Sequence, residues 1–149
     1  MKKFGSYKIL NRERLIVEYH AGDINVDDFI DSRRIISADS DYDPDFDLIF
    51  DYRDVNMLVK VEDVRRFMEF FKTFPQISGK RKSAYVTSRP NEVVITTLFS
   101  REITGTMIQS RTFSTIKGAV DWINHKELDV ATLNKIIKGL KSQPGDFYK

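Results

Sequence analysis

Two carboxylates with an arginine between them are the side chains of this sequence that most resemble a reactive set. Asp51 and Asp54 follow the apolar run Leu48-Ile49-Phe50, and Arg53 lies between them. Paired carboxylates can transfer protons or hold a cation. In an extended strand, however, Asp51 and Arg53 point to the same side, so a local ion pair is the simpler prediction. We therefore expect no enzymatic activity from this set.

The other residue types that carry chemistry are absent or scattered. The sequence has no cysteine, which excludes disulfides, thiol catalysis and cysteine-based metal sites. His20 and His125 lie far apart without neighbouring ligands, so we interpret both as surface or loop residues. No Gly-rich phosphate loop and no Gly-x-Ser-x-Gly motif occurs. We expect no catalytic residue, no metal and no cofactor.

Five aspartates at alternate positions between Asp39 and Asp47 suggest a calcium loop, but the motif fails. An EF-hand loop needs Gly at its sixth position and Glu at its twelfth. Counted from Asp39, those positions hold Pro44 and Phe50. We interpret this segment as a helix-to-strand loop whose path is fixed by Asp side chains and Pro44.

The charges of the chain are unevenly distributed. Residues 20–54 contain 11 Asp and 3 Arg, whereas the net charge of the whole chain is +2. This acidic segment is either a solvated rim or a surface that steers a basic partner. The basic trio Lys80-Arg81-Lys82 is too short, and too poor in aromatic neighbours, to predict a nucleic-acid surface. No apolar run approaches the roughly 20 residues of a membrane helix, and no signal peptide is evident, so we expect a cytoplasmic protein without an integral membrane segment.

Apolar periodicity predicts the elements that position these side chains. Strands alternate with helices, which favours one α/β domain with a mixed sheet of about five strands and right-handed parallel crossovers. We expect this domain to span residues 1–126. An amphipathic helix at 127–142 would pack on the domain or on a partner, and 143–149 would be a tail. The predicted strands are 4–10, 15–19, 48–54, 83–87 and 106–113, and the predicted helices are 25–38, 62–74, about 90–103, 115–124 and 130–140.

Helix 62–74 is unusually rich in phenylalanine. Phe67, Phe70, Phe71 and Phe74 lie on or beside its apolar face. Such spacing is typical of core packing. It is also compatible with the wall of an apolar ligand cavity.

Three stretches carry a resemblance to a known family. They are Tyr42-Asp43-Pro44-Asp45-Phe46-Asp47 leading into 48–54, Ser88-Arg89-Pro90 opening a helix, and Phe113-Ser114 leading into Ala119-Val120-Asp121-Trp122-Ile123. Over about residues 4–124 the layout resembles the STAS domain of anti-sigma-factor antagonists. More narrowly, it resembles a bacterial STAS-like group that is classed alongside CRAL-TRIO lipid-binding domains.

The resemblance implies a regulatory module, but one device of the family is missing. In the antagonists, the loop and helix start after the strand that corresponds to 48–54 carry a phosphorylatable Ser or Thr. The added phosphate charge switches the partner. Here residues 41–72 contain no Ser or Thr, so we expect no such switch. Glu62 or Asp63 could mimic a permanent phosphate, although acidic residues are common at helix starts.

Two functions are compatible with these sequence features. The first is a non-enzymatic regulatory or protein-interaction module, whose partner would be another protein or a second copy of the chain. The second is a small apolar-ligand or lipid-binding protein. A ligand carrier should have a cavity between the Phe-rich helix and the sheet, whereas an interaction module should have a filled core and exposed Met57 and Leu58. The predicted partner surface is Asp51, Arg53, Asp54, Asn56, Met57 and Leu58, and the predicted cavity wall is Phe67, Phe70, Phe71 and Phe74.

Overall fold

The computed structural model describes residues 2–148 and confirms the predicted α/β class. Its five-stranded sheet has the order β1-β2-β3-β4-β5, in which β1 is antiparallel to β2 and the other neighbours are parallel. The strands are β1 (Phe4–Leu10), β2 (Leu15–Asn25), β3 (Asp47–Leu58), β4 (Arg81–Val86) and β5 (Ile108–Phe113). The helices are α1 (Val26–Ser37), α2 (Val61–Thr73), α3 (Pro90–Glu102), α4 (Ile116–Ile123) and α5 (Val130–Ser142), with a 3-10 turn at Pro75–Ile77.

The strands contribute side chains to a hydrophobic core on each face of the sheet. Because successive side chains of a strand point to opposite faces, Leu15 and Val17 pack with α4 and α5. Ile16, Leu48 and Phe50 pack on the opposite face, with residues of α1, α2 and α3. The central strands are therefore covered on both sides, as is usual for parallel sheets.

Two strands run further than the sequence predicted. The second predicted strand ended at residue 19, but β2 continues to Asn25, with a register shift between Tyr19 and Ala21 and a positive φ of 94° at Gly22. The third predicted strand ended at residue 54, but β3 continues to Leu58. The two extensions pair with each other, and this pairing overrides the weak strand propensity of their polar residues.

Helix α2 has an unusual position in the fold. It packs mainly against α1, α3 and the 3-10 turn rather than against the strands. Space therefore remains between α2 and the sheet. At the start of α2, Asp63 stabilises the first turn by accepting a hydrogen bond from the backbone N–H of Lys60 at 2.9 Å.

The segment after α5, which we predicted to be a tail, packs on the domain. Over residues 143–148 it follows the outer edge of β1, where the Gly5 carbonyl accepts the backbone N–H groups of Asp146 and Phe147 at 2.8 and 3.0 Å. A Cβ on Gly5 would lie 2.9 Å from the Phe147 ring, so only glycine permits this approach. Lys149 lies outside the described residues. The segment shields the hydrogen-bonding edge of β1.

Within residues 2–148, none of the helices is both long and apolar enough to cross a membrane.

Candidate functional site

The space beneath α2 is a cavity of about 110 Å³ with aromatic walls. Phe50, Tyr52 and Tyr85 form its floor on β3 and β4. Their rings stack, with centroids 5.2 Å apart for Phe50 and Tyr85 and 5.9 Å apart for Tyr52 and Tyr85. Phe67 and Phe71 of α2 line the cavity from above. A cavity of roughly 150 Å³ with apolar walls is large enough to bind benzene.

The four phenylalanines of α2 have two different roles. Phe67 and Phe71 line the cavity, and the Phe67 ring meets Phe99 of α3 edge-on at 5.1 Å. Phe70 and Phe74 do not line the cavity. They stack on each other at 5.1 Å, and Arg34 lies over the Phe70 ring at 5.0 Å. Only half of the predicted cavity wall therefore faces the cavity.

One polar atom of the cavity wall, Arg81 Nε, is buried without a partner, and two hydroxyls of the wall lack a partner among the described residues. The hydroxyls of Tyr52 and Ser83, residues that are 6% and 3% exposed, make no hydrogen bond to any described residue. Burial raises the pKa of Tyr52 well above its usual value, so its hydroxyl stays protonated and can donate. Unpaired polar groups are uncommon in protein interiors and are costly when left unsatisfied. A ligand with a polar group would satisfy them.

A buried charge network reaches the cavity through Arg33. Glu18 accepts hydrogen bonds from both His20 and Arg33 through the same carboxylate oxygen, and the His20 Nε2 bond is 2.8 Å long. On its other side, His20 Nδ1 lies 2.7 Å from the Tyr148 hydroxyl. Arg33 also lines the cavity and lies over the Phe50 ring. The network thus ties β2, α1 and the C-terminal segment to the cavity wall.

The negative charge of Glu18 is matched by the positive charge of Arg33 in this network. Burial alone would raise the pKa of Glu18, but the charge of Arg33 and the hydrogen bond from His20 lower it. Burial lowers the pKa of His20, against the attraction of Glu18. At neutral pH the network therefore contains one anion, one cation and a neutral imidazole. His20 was predicted to be a surface or loop residue, and this was wrong, since it is fully buried in the extended part of β2.

The residues of the predicted partner surface do not form one surface. Asp51 is 1% exposed in mid-strand, where Arg53 Nε and Nη2 each donate to it at 2.9 Å, which is the expected ion pair. Met57 is 5% exposed and lines the cavity, so its predicted exposure was wrong. The strand alternation buries Met57 and exposes Leu58, which is 53% exposed.

The two remaining residues of that set lie on the opposite side of the β2–β3 extension from the cavity. Asp54 accepts a hydrogen bond from the Tyr19 hydroxyl at 2.5 Å and lies 3.8 Å from Lys141 Nζ. The Asn56 amide donates to Asp23 at 3.0 Å, across the β2–β3 pair. These contacts therefore connect the extended part of β3 to β2 and, through Lys141, to α5.

No metal site emerges from the part of the chain that is described. Residues 2–148 contain no group of three or more His, Asp or Glu side chains that could hold a metal ion. His125 Nε2 lies 2.7 Å from Asp47 Oδ2, at the amino end of β3. This pair joins the loop after α4 to the sheet.

Arg81 was not predicted to belong to the site, although the sequence contains a signal for it. Along β4, Ala84 and Val86 face α4 and α5, whereas Tyr85 faces the cavity. A period of two therefore puts Arg81 and Ser83 on the cavity side as well. We instead interpreted Arg81 as part of an exposed basic trio.

Comparison with known proteins supports the fold. No family model and no curated protein matches the chain. A solved structure does match, that of an uncharacterised Shewanella loihica PV-4 protein from the DUF3478 family, described as having a SpoIIAA-like fold. The TM-score is 0.55 at 10% sequence identity, over 83% of this chain and 97% of that chain. The chain therefore has the STAS-like fold that its sequence resembles.

Proposed function

We propose that the protein is a non-enzymatic binding module that takes a small apolar ligand in the cavity beneath α2. The observation that carries this proposal is the cavity itself, which separates the Phe-rich helix from the sheet where a filled core would be expected. Cavities with apolar and aromatic walls and a few polar groups are typical of small-molecule sites. The polar groups of the wall do not form a nucleophile–base pair, so binding is favoured over catalysis.

The size of the cavity limits the ligand. Its volume of about 110 Å³ is comparable to that of cavities that hold a single aromatic ring or a short aliphatic chain. A long acyl chain would require α2 to move away from the sheet. A small ring compound is therefore a better first probe than a phospholipid.

Toluene is expected to bind the wild-type protein and not a variant whose cavity is filled. Ile95 lines the cavity and is 7% exposed, so Ile95→Phe would place an additional ring in the space. Its neighbour Val94 is 52% exposed, which makes Val94→Phe the matched control. Titration followed by ligand-observed NMR should show saturable binding to the wild type and to Val94→Phe only. Equal binding to Ile95→Phe, or no binding to the wild type, would contradict the proposal.

A second candidate function is interaction with a protein partner through the end of β3. Leu58 and Val61 are 53% and 63% exposed and lie within four residues of each other, so two large apolar side chains face solvent beside the cavity. Single exposed apolar residues are ordinary, whereas contiguous apolar patches mark interaction sites, and these two residues lie only three positions apart in the sequence. Because residues 41–72 lack Ser and Thr, such an interaction would not be switched by serine or threonine phosphorylation in that segment.

Leu58→Asp is expected to abolish partner capture while leaving toluene binding unchanged. The leucine contributes to the exposed patch but does not line the cavity. A pull-down from the native cell, quantified against the wild type, measures the first effect. An unchanged set of captured proteins would exclude this surface.

A further inference from the structure

We infer that the ligand of this cavity carries a carboxylate and that Arg81 binds it. This inference rests on the proposed function and specifies the chemistry of the ligand. It starts from the position of Arg81 at the beginning of β4, on the same face of the strand as Ser83 and Tyr85. All three side chains line the cavity, and Arg81 is only 4% exposed.

The guanidinium of Arg81 is incompletely satisfied by the protein. Its Nη1 donates to the Tyr42 hydroxyl at 3.0 Å, and its Nη2 donates to the backbone carbonyl of Asp43 at 2.7 Å. Its Nε is buried and has no hydrogen-bond partner among the described residues. A guanidinium has five N–H donors, so donors remain for a ligand after these two bonds are made.

The guanidinium of Arg81 also has no ion-pair partner among the described residues. The other buried arginine of the described residues, Arg33, is paired with Glu18. Within residues 2–148, no carboxylate lies within ion-pair distance of Arg81; its partners are two neutral oxygens and the Tyr42 ring at 5.4 Å. Buried charges are normally paired, because removing a charge from water is costly. The cavity wall includes one carboxylate, Asp63, but it makes no ion pair with Arg81, so Arg81 has no direct counter-ion on this wall.

The groups around Arg81 suit a carboxylate. Ser83 lies two residues further along the same strand face, and its unpartnered hydroxyl can donate to a second oxygen. The Tyr42 hydroxyl accepts from Arg81 and keeps its own proton to donate. Arginine binds planar carboxylates with good geometry, and one such group would give Arg81 the ion-pair partner that it lacks. The aromatic floor then receives the apolar body of the ligand.

Phenylacetate and its neutral isostere phenylacetamide test this inference. Both carry the single ring that the cavity accommodates, but only phenylacetate can neutralise Arg81. We expect the wild-type protein to bind phenylacetate at least about tenfold more tightly, since hydrogen bonds to a charged group are the stronger ones. Isothermal titration calorimetry of the full chain, with toluene as a third ligand, measures the preference.

Two variants and a control variant show which residues produce the preference for phenylacetate. Arg81→Met keeps the aliphatic stem and should remove the preference for phenylacetate while toluene still binds. Ser83→Ala should reduce the preference, and Lys80→Met, at an exposed neighbour, should leave it unchanged. If Arg81→Met does not fold, the wild-type comparison of the two isosteres and the Ser83→Ala result still decide the question.

The outcomes separate this inference from the proposed function. If toluene binds the wild type but phenylacetate binds no more tightly than phenylacetamide, the carboxylate assignment is wrong and the cavity proposal stands. The assignment also fails if Arg81→Met retains the preference. If none of the three compounds binds, the proposed function itself fails.

Discussion

Replacing Glu18 with alanine should lower the free energy of unfolding by about 3–5 kcal/mol. Glu18 is fully buried, and its carboxylate is the only anion in contact with Arg33 among the described residues. Without it, the Arg33 guanidinium would remain in the protein interior as an unpaired charge, and His20 would lose its Nε2 acceptor. Urea denaturation, followed by circular dichroism and compared with the wild type, measures the change.

Two further variants show whether burial is the cause. Asp27→Ala breaks another arginine–carboxylate pair, Asp27 with Arg66, whose side chains are both 57% exposed. It should cost less than about 1 kcal/mol, since exposed ion pairs contribute little. The double variant Glu18→Leu/Arg33→Met should recover most of the loss, because it removes both buried charges. If Glu18→Ala costs no more than Asp27→Ala, the buried network does not stabilise the fold in this way.

Replacing Phe147 with alanine should cost about 3–5 kcal/mol, although the residue is third from the end of the chain. Its ring is 2% exposed. It stacks on His20 with a centroid distance of 5.3 Å and an interplanar angle of 3°, and on Tyr7 at 5.4 Å. Removing the ring leaves a cavity beside the charge network and loosens the segment that covers the edge of β1. The same denaturation experiment measures the loss.

Phe74→Ala provides the matched control for this prediction. Phe74 is only partly buried and stacks on Phe70 outside the cavity. The same substitution there should cost clearly less than at Phe147. Equal losses at the two positions, or a loss below about 1 kcal/mol at Phe147, would show that the C-terminal segment contributes little to the fold.

The order of the elements could be predicted from the sequence because it depends on local signals. Asn25 is an example, since its side chain accepts the Asp28 backbone N–H at 3.0 Å while Asp28 accepts the Asn25 N–H at 2.8 Å. This reciprocal pair fixes the start of α1 at the residue predicted. The short apolar run at 48–50 likewise belongs to a predicted strand, 48–54, that the structure contains within β3.

The strand ends could not be predicted, because they depend on partners distant in the sequence. The stretch from His20 to Asp23 is polar and contains glycine, which favours a break. It remains a strand because β1 pairs with its first residues and β3 pairs with its later ones. The burial of His20 follows from this extension and from Phe147, which lies 127 positions away.

The site was only partly predictable for the same reason. Helical spacing put Phe67 and Phe71 on the inner face of α2, but it did not indicate that α2 lies away from the strands. Glu18 and Arg33 belong to different elements, and no sequence pattern joins them. The period of the strand was enough to place Arg81 on the cavity side, but its lack of an ion-pair partner could be read only from the structure.

The central claim is that the space beneath α2 takes a small apolar ligand, and contacts from bound toluene test it most directly. Intermolecular nuclear Overhauser effects report which protein methyl groups lie next to the ligand. Ile95 lines the cavity, whereas its neighbour Val94 is 52% exposed, so the two residues provide an internal control on one helix. We expect contacts from toluene to the methyl groups of Ile95 and Met57 and none to Val94. Contacts to Val94 or Leu58 alone, or no contacts at saturating toluene, would contradict the claim.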